Sequence, residues 1–108
     1  MHSSPLPWKI LSSSVGVGVL TDGWNLAHLG SDDREIRSFN VEVIFDIPFS
    51  TPPVVHLGLT GFDIDQRDSG RVTLKTGEIS SSGFQVTIST WAYSRVYAVE
   101  FNWVAIGA

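Results

Sequence analysis

The chain has 108 residues, 43% hydrophobic, 11% aromatic and 17% charged, which is one domain with one core and too apolar to be disordered. It contains no cysteine, so disulfides and thiolate metal sites are excluded and packing or subunit contacts must hold the fold. Seven basic side chains scattered among eleven acidic ones give a net charge of −4; this disfavours nucleic acid, and no apolar run reaches the ~18 residues of a membrane span.

Residues 1–14, MHSSPLPWKILSSS, combine Pro5, Pro7 and a serine run and are expected to form a tail ahead of a domain over residues 15–108. The segment does not read as a targeting signal, because it lacks an apolar stretch of signal-peptide length. Trp8 is expected to pack onto the domain or a neighbouring subunit rather than to hold a ligand.

Val15 to Leu20 begins the strands. Residues 37–45 alternate, with Phe39, Val41, Val43 and Phe45 on one face, the period of a half-buried strand. Pro48 to Pro53 must be a loop, since proline cannot donate to a ladder. Val54 to Phe62 turns Val55, Leu57 and Leu59 inward. Asp63 to Gly70 is a polar loop, and Arg71 to Ile79 follows with Val72 and Leu74 inward. Ser80 to Ser82 turns the chain into Gly83 to Trp91, where Phe84, Val86 and Ile88 repeat the pattern. After Ala92 to Ser94 the last strand runs to Ile106 with Val99, Phe101 and Trp103 inward. Six short strands with turn signals between them and no helical period predict an all-β fold, a six-stranded antiparallel β-sandwich.

Raw material for catalysis is thin. His2 lies in the tail, His28 in a loop and His56 on a polar strand face, so no acid, base and nucleophile converge and the chain is not expected to be an enzyme. Gly16-Val17-Gly18 lacks the third glycine and the following helix of a dinucleotide site. Asp63, Asp65 and Asp68 are spaced a little like a calcium loop but lack its terminal glutamate, and a solvated loop is the better reading. No cofactor or metal is implied. Asp32 and Asp33 read equally as turn residues or as acceptors for ligand hydroxyls.

The hairpin is more informative. A three-residue turn at Ser80 to Ser82 sets Ile79 opposite Gly83 and, by the same count, Arg71 opposite Trp91 on the outer face at one sheet end. Tyr97 comes to that end through the 92–94 loop, but parity points it inward unless the strand bulges. A guanidinium beside an indole, with tyrosine and carboxylates nearby, suits carbohydrate, whose hydroxyls need directional partners and whose C–H face can lie on a ring. It suits a stabilising cation–π pair equally well.

Phe45, Phe49-Ser50-Thr51-Pro52-Pro53-Val54-Val55, Asp63, Arg71-Val72, Gly83-Phe84, Thr90-Trp91, Val96-Tyr97 and Trp103, in that order, resemble the H-type lectin domain over about residues 15–106. The resemblance implies a sandwich assembled as a homotrimer or as two stacked trimers. It also implies binding of terminal galactose or N-acetylgalactosamine between protomers, and thus a surface-exposed or extracellular setting. By position it carries the sugar-binding arginine onto Arg71, the tryptophan onto Trp91 and the tyrosine onto Tyr97. The family's histidine after the tryptophan is Ala92 here, with Tyr93 or Ser94 as substitutes. Its aspartate falls on Arg34 by ungapped count, and a shift that aligns Trp24 offers Asp33 or Asp32. The competing expectation is a structural or protein-binding trimeric adhesion module that has lost the sugar site.

Overall fold

The computed structural model describes residues 7–29 and 34–108. It contains strands β1 (Lys9–Gly18), β2 (Arg37–Ile44), β3 (Val54–Ile64), β4 (Thr73–Ile79), β5 (Gly83–Thr90) and β6 (Val96–Gly107). They form two three-stranded antiparallel sheets, ordered β1-β6-β3 and β2-β5-β4. The expected β-sandwich is therefore present. β5 and β6 are the central strands, flanked on both sides, and they carry the core: Phe84, Val86 and Ile88 from one sheet, Val99, Phe101, Trp103 and Ala105 from the other. Alternation is sharpest there because a central strand hides one face completely, whereas an edge strand is open along its side.

The two ends of the sandwich differ. At one end Phe45 meets Phe49, Phe84 and Trp103 with ring centroids 5.1–5.7 Å apart, in tilted and edge-on contacts that suit aromatic quadrupoles. The backbone N–H groups of Phe45 and Phe49 donate to the carbonyls of Ser82 and Ser81, at 2.9 and 2.8 Å, which ties the proline loop to the β4–β5 turn. The antiparallel registers place residues 19–29, 34–36, 65–72 and 91–95 together at the opposite end.

Several strand limits differ from the sequence reading. β1 starts at Lys9 rather than Val15: Ser12, Ser13 and Ser14 pair with Val104, Trp103 and Asn102. Serine suits this edge, where Leu11, Val15 and Val17 supply the apolar contacts and β6 supplies the hydrogen bonds. β1 also stops at Gly18, and Leu20 lies in a turn, 99% exposed. Trp8 is 76% exposed and does not pack back onto its own domain. Leu59 keeps its inward phase opposite Phe101 but is 44% exposed, beside the bulge at Leu59/Gly61.

The β4–β5 hairpin departs from its expected turn. Ile79 pairs with Phe84, not Gly83, and Ser80 N–H donates to the Gly83 carbonyl at 2.8 Å. A bulge between Thr76 and Ile79 then absorbs the difference, so Thr73 faces Ser89 as the simpler turn would have had it. Two departures cancel before the chain reaches the far end.

Phe101 is fully buried between the sheets. Phe101→Ala is expected to cost about 3–5 kcal/mol, read from urea denaturation midpoints at one fixed protein concentration.

Candidate functional site

Arg37 organises the end opposite the aromatic cluster. It opens β2 in phase with Phe39, Val41 and Val43, so its side chain points inward, and it is only 6% exposed. A charge there is costly unless hydrogen-bonded, and both Nη atoms of Arg37 are bonded while its buried Nε has no hydrogen-bond partner among the described residues. Its Nη1 donates to the carbonyls of His28 and, at 3.4 Å, Leu26; its Nη2 donates to those of Ser94 at 2.6 Å and Ala92 at 3.1 Å. One planar fork thus ties the segment before β2 to the turn between β5 and β6. Burial pulls the guanidinium below its ordinary pKa, nearby Glu35 opposes this, and Arg95 adds to it.

Both clamped segments have further support. The Val96 N–H donates to the Leu26 carbonyl at 2.7 Å, and the Trp24 indole N–H donates to the Val96 carbonyl at 2.9 Å while its ring lies 5.1 Å from Phe39. Ala92 has a φ of 56°, a left-handed conformation that costs a residue with a Cβ about 1 kcal/mol. Its carbonyl is one of the four that Arg37 holds. The turn is kept in an unfavourable conformation by a buried charge.

Trp91 and Arg71 lie just beyond the last β4–β5 pair, Thr73 with Ser89. The Thr90 hydroxyl donates to the Arg71 carbonyl at 2.5 Å, fixing the backbone from which the arginine projects. Arg71 Nη1 donates to the Ser69 carbonyl at 3.2 Å and approaches Ser94 Oγ at 3.5 Å; the Ser94 hydroxyl itself donates to Ser69. The Ser94 N–H closes the turn onto the Trp91 carbonyl at 3.4 Å. Arg71 and Trp91 therefore share one corner, joined through Ser94 rather than by ring stacking. Among the described residues, Nε and Nη2 of Arg71 make no hydrogen bond. Among the described residues these donors have no acceptor, and a ligand with hydroxyl acceptors suits such donors.

Tyr97 does bulge. β3 pairs Asp63 with Ala98 and then Ile64 with Val96, which leaves Tyr97 unpaired and turns Val96 inward to full burial. The released ring sends its hydroxyl to Asp65 Oδ2 at 2.7 Å. Close chain approach helps place it: a Cβ on Gly18 would stand 2.5 Å from the Tyr97 carbonyl oxygen, so β1 can pass only as glycine. Among the described residues no hydrogen bond or ring contact joins Tyr97 to Arg71 or Trp91. One chain thus presents two corners, Arg71 with Trp91 and Tyr97 with Asp65.

Asp65 is enclosed by cations. Arg67 donates to both carboxylate oxygens through Nε, at 2.9 and 3.0 Å, and to Oδ1 through its backbone N–H at 2.9 Å; Arg95 Nη1 lies 3.7 Å from Oδ2. Hydrogen bonds from Arg67 and Tyr97 hold the Asp65 carboxyl well below the usual carboxylate range and hold the Tyr97 hydroxyl above its own. With its oxygens so engaged, Asp65 is no calcium ligand, and no cluster of metal-binding side chains occurs among the described residues. Asp32 and Asp33 lie outside the described residues. Tyr93 is half exposed in the same turn as Trp91.

Sequence reasoning did not pick out Arg37 or Arg67, and it weighed Asp65 only within a calcium-like spacing, not as a partner of Tyr97. An arginine in phase with an apolar strand face was the available signal for Arg37. Asp65 meets a partner 32 residues away, and no local pattern announces that pairing.

The sandwich is a lectin fold by its family match. The H-type lectin domain model matches residues 40–106, and the chain belongs to that family. It is 32% identical over 104 residues to Discoidin-2 of Dictyostelium discoideum, spanning 94% of this chain and 39% of that protein. It is 33% identical over 72 residues to a Fuscovulum blasticum protein called ATP synthase subunits region ORF 7, spanning 67% and 63%. The chain thus spans less than two thirds of the length of each of these curated relatives. The solved structure of wild-type discoidin II superposes with a TM-score of 0.77 at 23% identity, over 99% of this chain and 39% of that one. The R1 pyocin fibre of P. aeruginosa superposes at 0.59 with 17% identity, over 94% and 23%.

Two outcomes are expected from this geometry. Arg37→Met leaves the His28, Ala92 and Ser94 carbonyls without their donor and lowers stability by at least about 3 kcal/mol, measured by urea denaturation. The folded Asp65 lies below its unfolded pKa of about 3.9, so its contribution is present above that pH and is lost as the pH falls toward the folded value. Stability should drop below about pH 4 in the wild type and drop less in Asp65→Asn, measured from denaturation midpoints across an acid series.

Proposed function

We propose that this chain is a non-catalytic lectin that recognises terminal galactose or N-acetylgalactosamine through shallow sites between the protomers of a homotrimer. The observation that carries the reading is the corner shared by Arg71 and Trp91, where two guanidinium nitrogens of Arg71 make no hydrogen bond among the described residues, at the positions where the family resemblance locates sugar contacts. Arg71 donates to ring hydroxyls, Trp91 lies against the sugar or its substituent, and Tyr97 completes the wall. Tyr93 substitutes for the family's histidine, and Asp32 or Asp33 supplies a carboxylate. No disulfide can staple two trimers together, because cysteine is absent.

Self-association is supported by the contrast between the outer faces. The β2-β5-β4 face is cross-bonded along its middle, Ser38 with Ser89 and Asn40 with Thr87, each at 2.8 Å, with the exposed apolar side chain of Ile44 at the end of β2. The β1-β6-β3 side carries exposed Ile10 and Val54 in register with Ile106 at one end. At its other end Val19, Leu20 and Phe62 are 56%, 99% and 63% exposed and border a depression of about 490 Å³ that Tyr97 also lines. Clustered exposure of this kind marks an association surface. A protomer seated there lies beside Tyr97. Shallow sites bind weakly, and three on one assembly restore useful avidity.

A second reading, an adhesion module without sugar binding, is favoured by Ala92, whose methyl cannot replace an imidazole donor, and by Arg34 at the family's aspartate position. A glycan array separates the two. Galactose and N-acetylgalactosamine terminal glycans should bind, with Arg71→Ala reducing the signal at least about tenfold; binding that ignores this substitution contradicts the lectin reading. Native mass spectrometry should show three times the 11.8 kDa chain mass, and Leu20→Asp with Phe62→Asp should shift it to monomer.

A further inference from the structure

The Tyr97 hydroxyl has one proton and two lone pairs, and an unrestrained phenol can serve a ligand as donor or as acceptor. Here the choice is made before any ligand arrives. The proton points at Asp65 Oδ2, 2.7 Å away, and a carboxylate has no proton to return. Asp65 in turn cannot swing aside. Arg67 grips both of its oxygens and its Oδ1 also takes the Arg67 backbone N–H, while the Asp65 N–H donates to the Arg95 carbonyl at 2.9 Å. The carboxylate is 12% exposed although Arg67 is 67% exposed, so the arginine covers it from solvent. Asp63 and Gln66 line the same depression as Tyr97. Asp65 takes the Tyr97 proton, and the Arg67 guanidinium also reaches the hydroxyl, which leaves one of the two lone pairs of the oxygen for a ligand.

We propose that Asp65, clamped by Arg67, is a positioning residue of the ligand site: it holds the Tyr97 proton and leaves the Tyr97 oxygen to accept from a donating ligand group, a sugar hydroxyl or an acetamido N–H. The inference rests on the lectin reading for its ligand and on the geometry alone for the held proton. An exposed arginine–aspartate pair adds little stability by itself; its consequence lies in the polarity it imposes on Tyr97. The site thereby discriminates against a ligand that offers only an ether or carbonyl oxygen at that point, since two acceptors face each other without a proton.

The test uses the full chain with 13C at tyrosine Cζ, which gives two signals because the chain has two tyrosines; Tyr97→Phe identifies the one of interest. Asp65→Asn should lower the pH midpoint of the Tyr97 signal by at least about 0.5 unit. Binding is measured in parallel with methyl galactoside and with analogues in which fluorine, which cannot donate, replaces each hydroxyl in turn. In the wild type one analogue should bind at least about tenfold more weakly than the parent, and Asp65→Asn should reduce that discrimination to about threefold or less. Arg67→Met, a change at an exposed side chain, should reduce it partway with circular dichroism unchanged. An unmoved Tyr97 midpoint, or discrimination unchanged in Asp65→Asn, overturns the proposal. If the wild type binds no galactoside, the lectin reading fails by itself, and the Tyr97 midpoint still decides whether Asp65 holds the proton.

Discussion

The arrangement of the polar end depends on one buried guanidinium. Arg37 enters between the sheets at the head of β2 and offers its donors to four backbone carbonyls drawn from two segments far apart in sequence. Neither segment has regular structure with which to hold itself. Without Arg37 the His28, Ala92 and Ser94 carbonyls would lose their donor, a penalty far above the cost of a strained Ala92. The clamp also sets where Trp91 and Ser94 stand, and Ser94 in turn touches Arg71. A structural charge that faces inward thereby positions a second arginine that faces outward.

The molecule divides its tasks between the ends of one sandwich. Aromatic rings seal one end and need no ligand. At the other, backbone irregularity is concentrated: the left-handed Ala92, the bulge that releases Tyr97, and the turn after Gly18. Such departures are held by specific contacts, Arg37 for the first and Asp65 for the second. The same end carries the exposed apolar side chains Val19, Leu20 and Phe62, so the surface proposed for a neighbouring protomer and the groups proposed for a ligand adjoin.

Much of the fold was legible because β5 and β6 lie between partners and their alternation is a direct record of burial. β1 was legible only where valine marks it. Its serines are paired through backbone alone, and backbone pairing leaves no trace in side-chain pattern. The position of Arg71 near Trp91 was reached by assuming a turn that the chain does not use; the bulge before Ile79 restored the count. Tyr97 shows the limit more clearly. Parity put it inward, the condition for its release was a bulge, and the bulge exists because full burial of Val96 and the Asp65 bond both favour it. Arg37 was written into the strand pattern in plain sight, as a charge among inward positions, while the Asp65–Tyr97 bond could be read only in three dimensions.

The chain's four tryptophans offer the most direct test of the central claim that a sugar is held at the Arg71–Trp91 corner. Each gives one indole N–H signal by NMR: Trp8 is exposed, Trp24 is bonded to Val96, Trp103 lies in the core, and Trp91 stands at the corner. Titration of the assembled protein with N-acetylgalactosamine should move the Trp91 signal in a saturable manner and leave Trp103 in place. A Trp91 signal that stays fixed up to millimolar sugar, or a saturable shift at Trp8 alone, would contradict it.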